Sequence, residues 1–277
     1  MTKTVSIGIR TPTVLVAVLL ACGAAAVAFP FLWMLLSSFK PEREVFRLPL
    51  SLLPDEPTLA NYVRIFSTLN FGLYLRNTLA ITALSYIGFF FNALAAFAFA
   101  KFRFRFRETL FMVILATMMI PGQITMIPNF LIINGIGLVN TMAGIVLPGL
   151  ASGFSIFLFR QFMREVPDEL LDSARVDGAK EFRIFLFIVC PVAKPVLAVQ
   201  ALLTFIGGWN SFLWPLIIAR SHRLYTLSAG LALLRGEHGN DYAIQMAGAS
   251  VMVLPIVLLF VFLQRYIMDG FVISGIK

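Results

Sequence analysis

The sequence predicts an all-α, polytopic membrane protein with six transmembrane helices and a cytoplasmic loop of two short helices. The chain has 277 residues, of which 59% are hydrophobic and only 13% charged, and its mean hydropathy is +0.89. A soluble domain averages about 25% charged residues. The apolar residues are gathered into six stretches, each near the roughly 20 residues that a helix needs to cross the hydrocarbon core. A charged island separates the fourth stretch from the fifth.

The six stretches lie at about 13–36, 77–100, 109–131, 142–159, 196–219 and 245–264. Within these boundaries there is no Asp, Glu, Lys, Arg or His. Proton-coupled carriers usually keep carboxylates or histidines inside the membrane as relays. The composition therefore disfavours ion coupling by side-chain charge, while sodium sites built from backbone carbonyls stay open.

The first stretch could be mistaken for a cleaved leader, because basic residues precede it and a Leu-Leu-Ala-Cys box ends at Cys22. The apolar run continues to Leu36, where a mature lipoprotein would turn polar. This length favours an uncleaved membrane helix. The second cysteine, Cys190, lies far away beside the charged island, so we expect two free thiols.

The distribution of Lys and Arg predicts the orientation of the chain. If the N-terminus is inside, the inner segments hold 14 of the 22 basic residues and the outer segments 8. Six helices then place both termini in the cytoplasm. The same orientation places the charged island on the cytoplasmic side.

Residues 40–76 form the longest outer connection and carry four prolines, with a helix start expected at Thr58. We expect an ordered segment that lies along the membrane and contains short helical pieces after Pro57. A plain linker is an equally open alternative.

The inner turn Lys101–Arg107 alternates basic and aromatic residues. Such a pattern can bind nucleic acid, but next to membrane spans it is better explained by cations at head groups and Phe rings in the acyl boundary. The chain also lacks the Gly-x-x-x-x-Gly-Lys-Ser/Thr pattern, so it does not bind a nucleotide through a P-loop.

The charged island is predicted to form a knob of two short helices. Pro167 suits a first helical turn, and the carboxylates that follow it complement the helix dipole. Gly178 is placed to leave this helix with a positive φ. A second helix is expected over about 179–188, ended by Pro191 and Pro195.

The motifs within this island carry a family resemblance. Asp172-Ser173-Ala174 stands where a Glu-Ala-Ala motif would be, and Asp177-Gly178-Ala179 and the two prolines follow at the matching spacing. The segment, at about 160–195, resembles the cytoplasmic EAA loop of ABC importer permeases, and we refer to it as the coupling loop. The resemblance implies that an ATPase subunit docks on six residues, namely Asp172, Ser173, Ala174, Asp177, Gly178 and Ala179.

Three further fragments, Met119–Pro128, Gly207–Pro215 and Tyr225–Leu231, resemble permeases of carbohydrate importers of the maltose and glycerol-phosphate type. The resemblance implies a single transmembrane permease domain over residues 1–277 in the cell inner membrane, with alternating access as its mechanism. Its partners would be membrane lipid, a second permease subunit, an extracytoplasmic sugar-binding protein, and ATPase subunits that bind ATP and Mg. No enzymatic activity, cofactor, metal or nucleic acid is expected for this chain. An ion-coupled secondary transporter stays the alternative.

Sugars need hydrogen-bond partners and flat apolar faces, so the candidates for the substrate pathway are Trp209, Asn210, Trp214, Gln123 and Asn129. Asn210 is expected to be buried within the fifth span. For the two Trp residues the alternative is an interface belt or helix packing. For these amides, and for the other amides in or near spans (Asn92, Gln200 and Gln245), the alternative is hydrogen bonding between helices.

Overall fold

The computed structural model describes residues 11–68, 70–237 and 241–274, and the regular elements in these ranges are all helical. This confirms the prediction of an all-α protein. The α-helices are, in chain order, α1 (Thr11–Ser37), α2 (Glu42–Val45), α3 (Ala60–Thr68), α4 (Phe71–Lys101), α5 (Arg107–Met118), α6 (Gly122–Gly135), α7 (Met142–Leu150), α8 (Gly153–Arg164), α9 (Asp168–Val176), α10 (Glu181–Ile184), α11 (Cys190–Val192), α12 (Lys194–Trp209), α13 (Leu213–Ile218), α14 (Leu227–Glu237) and α15 (Tyr242–Ser274).

Four helical segments of the described ranges are long and apolar enough to cross a membrane: Val14–Ser37, Phe71–Lys101, Lys194–Ile218 and Tyr242–Ile267. Two further spans arise if each of two bent pairs, α5 with α6 and α7 with α8, is counted as one. The helices thus supply between four and six spans, and six matches the number of apolar stretches in the sequence.

The third and fourth stretches are broken, not straight as the sequence suggested. The axes of α5 and α6 differ by 104°, and those of α7 and α8 by 40°. The first break falls at Pro121, which lacks an N–H and disfavours helical backbone at the residue before it. Helix α6 begins directly after this proline.

The described residues form two compact units. The first unit comprises the described parts of Met1–Thr68 and Leu234–Val251. The segment after α1 is ordered: Lys40 is fully buried, lies over the Trp33 ring at 4.9 Å and donates a hydrogen bond to the carbonyl of Ser51. Asn61 Nδ2 donates to the carbonyl of Lys40 at 2.8 Å, and the Thr58 hydroxyl accepts from a backbone N–H at the start of α3. The structure therefore shows the ordered segment, with the predicted helix start, and not the plain linker.

The second unit comprises the described parts of Leu69–Leu233 and Met252–Lys277, and α4 lies at its centre, packed against α7, α8 and α12. Two glycines allow close approaches of the backbone. A Cβ on Gly88 would lie 2.4 Å from the carbonyl oxygen of Leu150, and one on Gly208 would lie 2.8 Å from Cα of Thr82. These contacts fix the spacing of α4 from α7 and from α12.

Candidate functional site: a polar cavity and a charged surface loop

A cavity of about 600 Å³ lies within the second unit. Its lining residues are all uncharged, and they combine hydroxyls and amides with apolar side chains and glycines. They are Ile81, Ser85, Phe89, Asn92, Gly122, Gln123, Thr125, Met126, Asn129, Ile145, Val146, Pro148, Gly149, Ser152, Ser155, Gln200, Leu203, Thr204, Gly207, Gly208, Ser211 and Trp214. A neutral surface that is rich in hydrogen-bonding groups can hold a polar, uncharged molecule.

Helix α12 contributes one continuous face to this cavity. Gln200, Leu203, Thr204 and Gly207 follow the three- and four-residue spacing of a single helical face. A Cβ added at Gly207 would meet nothing within 4 Å, so this glycine leaves open space in the cavity. The neighbouring Gly208 instead faces the backbone of α4, as described above.

The Trp214 ring forms part of the wall, and its indole nitrogen is held by α7. Its N–H lies 3.2 Å from the carbonyl oxygen of Gly144 and 3.1 Å from that of Ile145. Pro148 lies four residues after Gly144 and has no N–H to give to that carbonyl. Trp214 therefore satisfies a backbone group that the proline leaves unpaired, and this contact fixes the orientation of its ring.

The structure places the predicted pathway residues in different environments. Gln123, Asn129 and Trp214 line the cavity, whereas Trp209 and Asn210 are not among its lining residues. Trp209 is 2% exposed, and its N–H donates to the carbonyl of Met252 at 2.9 Å, which fits the packing alternative. The expectation that Asn210 is buried was wrong, because α12 ends at Trp209 and Asn210 lies exposed beyond it.

Two buried amides line the cavity although the sequence did not single them out for the pathway. Asn92 bridges the break between α7 and α8: its Nδ2 donates to the carbonyl of Leu150 at 3.0 Å and its Oδ1 accepts from the N–H of Ser152 at 3.2 Å. Gln200 Nε2 donates to the hydroxyl of Ser155 at 2.7 Å. The sequence signal that could have found Gln200 is its helical spacing with the polar and glycine positions that follow it.

Helix α9 of the coupling loop is followed by a turn at Gly178, as predicted. Gly178 has φ = +81°, its N–H donates to the carbonyl of Arg175 at 3.0 Å, and the N–H of Ala179 donates to that of Ala174 at 2.9 Å. These two bonds make the Schellman motif, in which a left-handed residue closes the helix. The loop is thus a tight, hydrogen-bonded turn.

Arg175 ties the two sides of this turn together. Its guanidinium donates to both carboxylate oxygens of Glu181, at 2.8 and 3.2 Å, and to Asp172 at 2.7 Å. The hydrogen bonds to Glu181 and Asp172 raise the pKa of Arg175. The Asp172 carboxylate is therefore already engaged within the loop.

The six residues predicted to dock on an ATPase divide into two groups. Asp172, Ser173, Asp177 and Gly178 are exposed, whereas the other two residues of the predicted set are half-buried. These two, Ala174 and Ala179, pack against an apolar cluster that includes the fully buried Leu171. Apolar side chains also project outward from the loop, with Val176 87% exposed and Phe182 about half exposed.

The second half of the loop differs from its prediction. The chain passes from α10 through a π-helical turn at Phe185–Val189 into α11, and it breaks at Ala193 instead of Pro191. Pro191 lies within this continuous helical run, directly after the π-helical turn, and has no N–H to donate. The N–H of Cys190 bonds to the carbonyl of Phe185, five residues back, as a π turn requires.

The end of α4 anchors the start of the coupling loop. The Lys101 side chain is 4% exposed, and its ammonium donates to the carbonyl of Val166 and to Asp168 Oδ1, the latter at 2.6 Å. The hydrogen bond and the positive charge of Lys101 hold the pKa of Asp168 below its usual value. Beneath this anchor, Phe97 of α4 packs against Phe185 with ring centroids 5.4 Å apart.

The family of binding-protein-dependent transport system inner membrane components matches residues 88–271. The chain belongs to this family. The permease is therefore a multi-pass inner-membrane protein. The matched residues include the coupling loop and every lining residue of the cavity except Ile81 and Ser85, which lie earlier in α4. In the described residues, no group of three or more His, Cys, Asp or Glu side chains could hold a metal ion.

The permease is similar to several curated transport proteins over nearly its whole length. It is 37% identical to the arabinooligosaccharides transport system permease protein AraQ of Halalkalibacterium halodurans, covering 94% of this chain and 96% of that one. It is 33% identical to the lactose transport system permease protein LacG of Rhizobium radiobacter, with 94% and 95% covered. It is 34% identical to the sn-glycerol-3-phosphate transport system permease protein UgpE of Pectobacterium atrosepticum, with 93% and 95% covered.

A solved structure supports the same assignment. A chain of a bacterial ABC transporter involved in the import of the acidic polysaccharide alginate superposes with a TM-score of 0.80 at 25% identity, covering 96% of this chain and 99% of that one. These relatives are ABC importer permeases and not enzymes, and they give no support to the ion-coupled carrier that the sequence left as the alternative.

Proposed function

We propose that the permease forms one half of the translocation pathway of an ATP-driven importer for an uncharged carbohydrate. AraQ and LacG, which are named for the transport of arabinooligosaccharides and lactose, support the substrate class. The partner would be a second permease subunit, and an extracytoplasmic binding protein would deliver the sugar. A bacterial alginate ABC transporter, one chain of which shares this fold with a TM-score of 0.65 at 17% identity, has been solved in complex with an alginate pentasaccharide-bound periplasmic protein.

The observation that carries this proposal is the cavity of the second unit. Its hydroxyls and amides can exchange hydrogen bonds with sugar hydroxyls, and the fixed ring of Trp214 offers a flat apolar face to the C–H side of a sugar ring. The lining residues carry no cation, which a phosphate or a uronic acid would seek as a partner. A neutral saccharide is therefore the substrate that this wall suits best.

ATP hydrolysis in the partner subunits would act on the permease through the coupling loop. Its exposed carboxylates and hydroxyl, together with the outward-facing Val176 and Phe182, make a mixed polar and apolar surface on which an ATPase subunit can dock. ATP and Mg would be bound by that subunit, since this sequence has no P-loop. The excess of Lys and Arg in the inner segments supports a cytoplasmic position for the loop and for both termini.

In this mechanism, closure of the ATPase pair displaces the coupling loop, and the cavity alternates between the outer and the inner side. The permease supplies part of the passage and the coupling loop that transmits the movement. Recognition of the sugar is shared with the binding protein and the second permease. Six helices with a single neutral cavity wall enclose only part of a pathway. The lone chain is therefore expected to be inactive.

The test is reconstitution in proteoliposomes of the complete complex, with the second permease, the ATPase subunits and a loaded binding protein. We expect uptake of labelled arabinotriose or lactose that requires ATP and that persists when an ionophore dissipates ion gradients. The permease alone, in matched vesicles, should give no ATP-driven uptake. Uptake by the lone chain, or uptake that collapses with the ionophore, would contradict the proposal.

A further inference from the structure

Gln200 has an unusual environment in the wall of the cavity. The residue is 5% exposed and lines the cavity, and its Nε2 donates to the hydroxyl of Ser155 at 2.7 Å. Its Oε1 is enclosed by the protein and has no hydrogen-bond partner. A buried amide oxygen without a donor is unfavourable, because it has lost its water and gained nothing in exchange.

The other buried amide of the cavity shows the contrast. Asn92 has both of its amide atoms paired with backbone groups at the break between α7 and α8, so its role is complete within the chain. The other described side chains with a buried unpaired atom are Ser37, Ser228 and Gln245, and none of them lines the cavity. Among the described residues, Gln200 alone combines an unpaired buried polar atom with a position in the cavity wall.

We propose that Gln200 is a carbohydrate-binding residue, whose amide pairs with a hydroxyl of a neutral saccharide when the cavity is occupied. The last torsion of a Gln side chain has a broad preference, so the amide can turn without moving α12. Because the amide is planar, Oε1 and Nε2 turn together, and the hydroxyl of Ser155, which can donate as well as accept, can pair with either of them. This inference rests on the proposed function, and it assigns the contact to one residue.

The hydrogen bond between Gln200 and Ser155 indicates the chemistry of the ligand. If the amide is assigned the other way round, Ser155 donates to Oε1 and the NH₂ group is left free for the ligand. A sugar hydroxyl can both accept and donate, so it can bond to whichever atom of the Gln200 amide is left free. A phosphate or carboxylate can only accept, and the other lining side chains are also uncharged. A neutral ligand that carries hydroxyl groups therefore fits either assignment of the amide.

The experiment compares Gln200→Met with the wild-type permease in the complete reconstituted complex. Met keeps a similar length and helix propensity but removes both hydrogen-bonding amide atoms. The probes are arabinotriose or lactose, whichever the wild type imports, and its single-deoxy analogues, each presented at saturation by the same binding protein. The quantity measured is the ratio of initial uptake rates for parent and analogue, in which differences in the amount of assembled complex cancel.

We expect the wild type to prefer the parent sugar over one of the analogues by about 3- to 10-fold, which is what a single hydrogen bond contributes. In Gln200→Met this preference should fall to about 1, because the partner of that hydroxyl is gone. Leu203→Met is the matched control: Leu203 lines the cavity on the same face of α12 without an amide, so the preference should persist.

Unchanged preferences for all analogues in Gln200→Met would overturn the assignment of Gln200 while leaving the importer function intact. The same loss in Leu203→Met would also overturn it, since the effect would then be one of cavity shape. A wild-type complex that imports neither probe, nor any other neutral saccharide, with ATP would instead refute the proposed function, and the assignment with it. A preference that is lost in Gln200→Met alone supports the contact.

Discussion

Two adjacent glycines of α12 offer a direct test of whether the cavity is the transport route. Gly207 faces open cavity, and Gly208 faces the backbone of α4. Replacing Gly207 with Trp should block uptake without disturbing helix packing, because the added side chain enters empty space. Replacing Gly208 with Ala should disturb packing while leaving the cavity itself unfilled.

The size of each effect follows from the space around each glycine. A Trp side chain places a rigid two-ring group in front of Gly207, in a cavity of about 600 Å³. At Gly208 a single Cβ would lie 2.8 Å from Cα of Thr82, a backbone atom that cannot rotate away. Such overpacking typically destabilises by about 1–3 kcal/mol.

The assay is uptake per assembled complex, with the amount of complex and its thermal stability measured in parallel. Gly207→Trp should assemble normally and lose at least about nine-tenths of its uptake, since a disaccharide no longer fits beside the ring. Gly207→Ala is the control, and it should transport normally and gain up to about 1 kcal/mol in helix stability. Gly208→Ala should lower the stability or yield of the complex. Normal uptake in Gly207→Trp would refute the inference that substrate passes through this cavity.

Three further predictions concern the loop and the wall. Gly178→Val should reduce uptake at normal membrane insertion, because left-handed backbone is unfavourable for a β-branched residue by about 1–2 kcal/mol, whereas Gly178→Asn should retain most uptake; equal rates in the two variants would contradict the tight-turn argument. Trp214→Phe should lower thermal stability by about 1–3 kcal/mol, because the carbonyl of Gly144 loses its donor, and an unchanged melting temperature would remove that role. Lys101 lowers the pKa of Asp168, so their ion pair is complete above the usual Asp pKa and is lost only as the pH falls through the lowered value. Uptake by the wild type and by Asp168→Asn should therefore show parallel pH profiles between about pH 5 and pH 8. Profiles that diverge in that range would contradict this assignment of the ion pair.

The sequence was sufficient for features that depend on local chemistry. Hydropathy located the helices, since each apolar stretch overlaps with one of the long helical segments or one of the bent pairs. The positive φ of Gly178 followed from the composition of its turn, and the order of residues 40–68 was one of two open alternatives. The breaks within the third and fourth stretches were missed because hydropathy does not register the geometry of a proline such as Pro121.

The site was harder to predict because it depends on which helices meet. Trp209 and Trp214 have similar sequence surroundings, yet one is packed against a carbonyl of α15 and the other forms the cavity wall. Four residues lie between them, and the helix break at Asn210 changes the direction in which each ring points. Gln200 carried no local signal beyond its spacing. Its importance arises from Ser155, which is 45 residues away in the sequence.

Helix α4 connects the two parts of the site within one rigid element. Its last residue, Lys101, holds the start of the coupling loop, and Phe97 packs against the second half of that loop. Further along, Asn92 clamps the break between α7 and α8, and Ser85 lines the cavity. At 1.5 Å per residue, the distance along the helix from Lys101 to Ser85 is about 24 Å.

A close-packed interior cannot absorb a displacement gradually, because its side chains have few discrete arrangements. The coupling loop rests on an apolar cluster that includes Phe97 and Ala93 of α4 together with Phe159 and Met163 of α8. The same two helices supply Ser85 and Ser155 to the cavity wall. A push on the loop must therefore either break this cluster or move α4 and α8 together. In the proposed mechanism, moving them together changes the cavity itself, which is the geometric requirement for coupling ATP hydrolysis to alternating access.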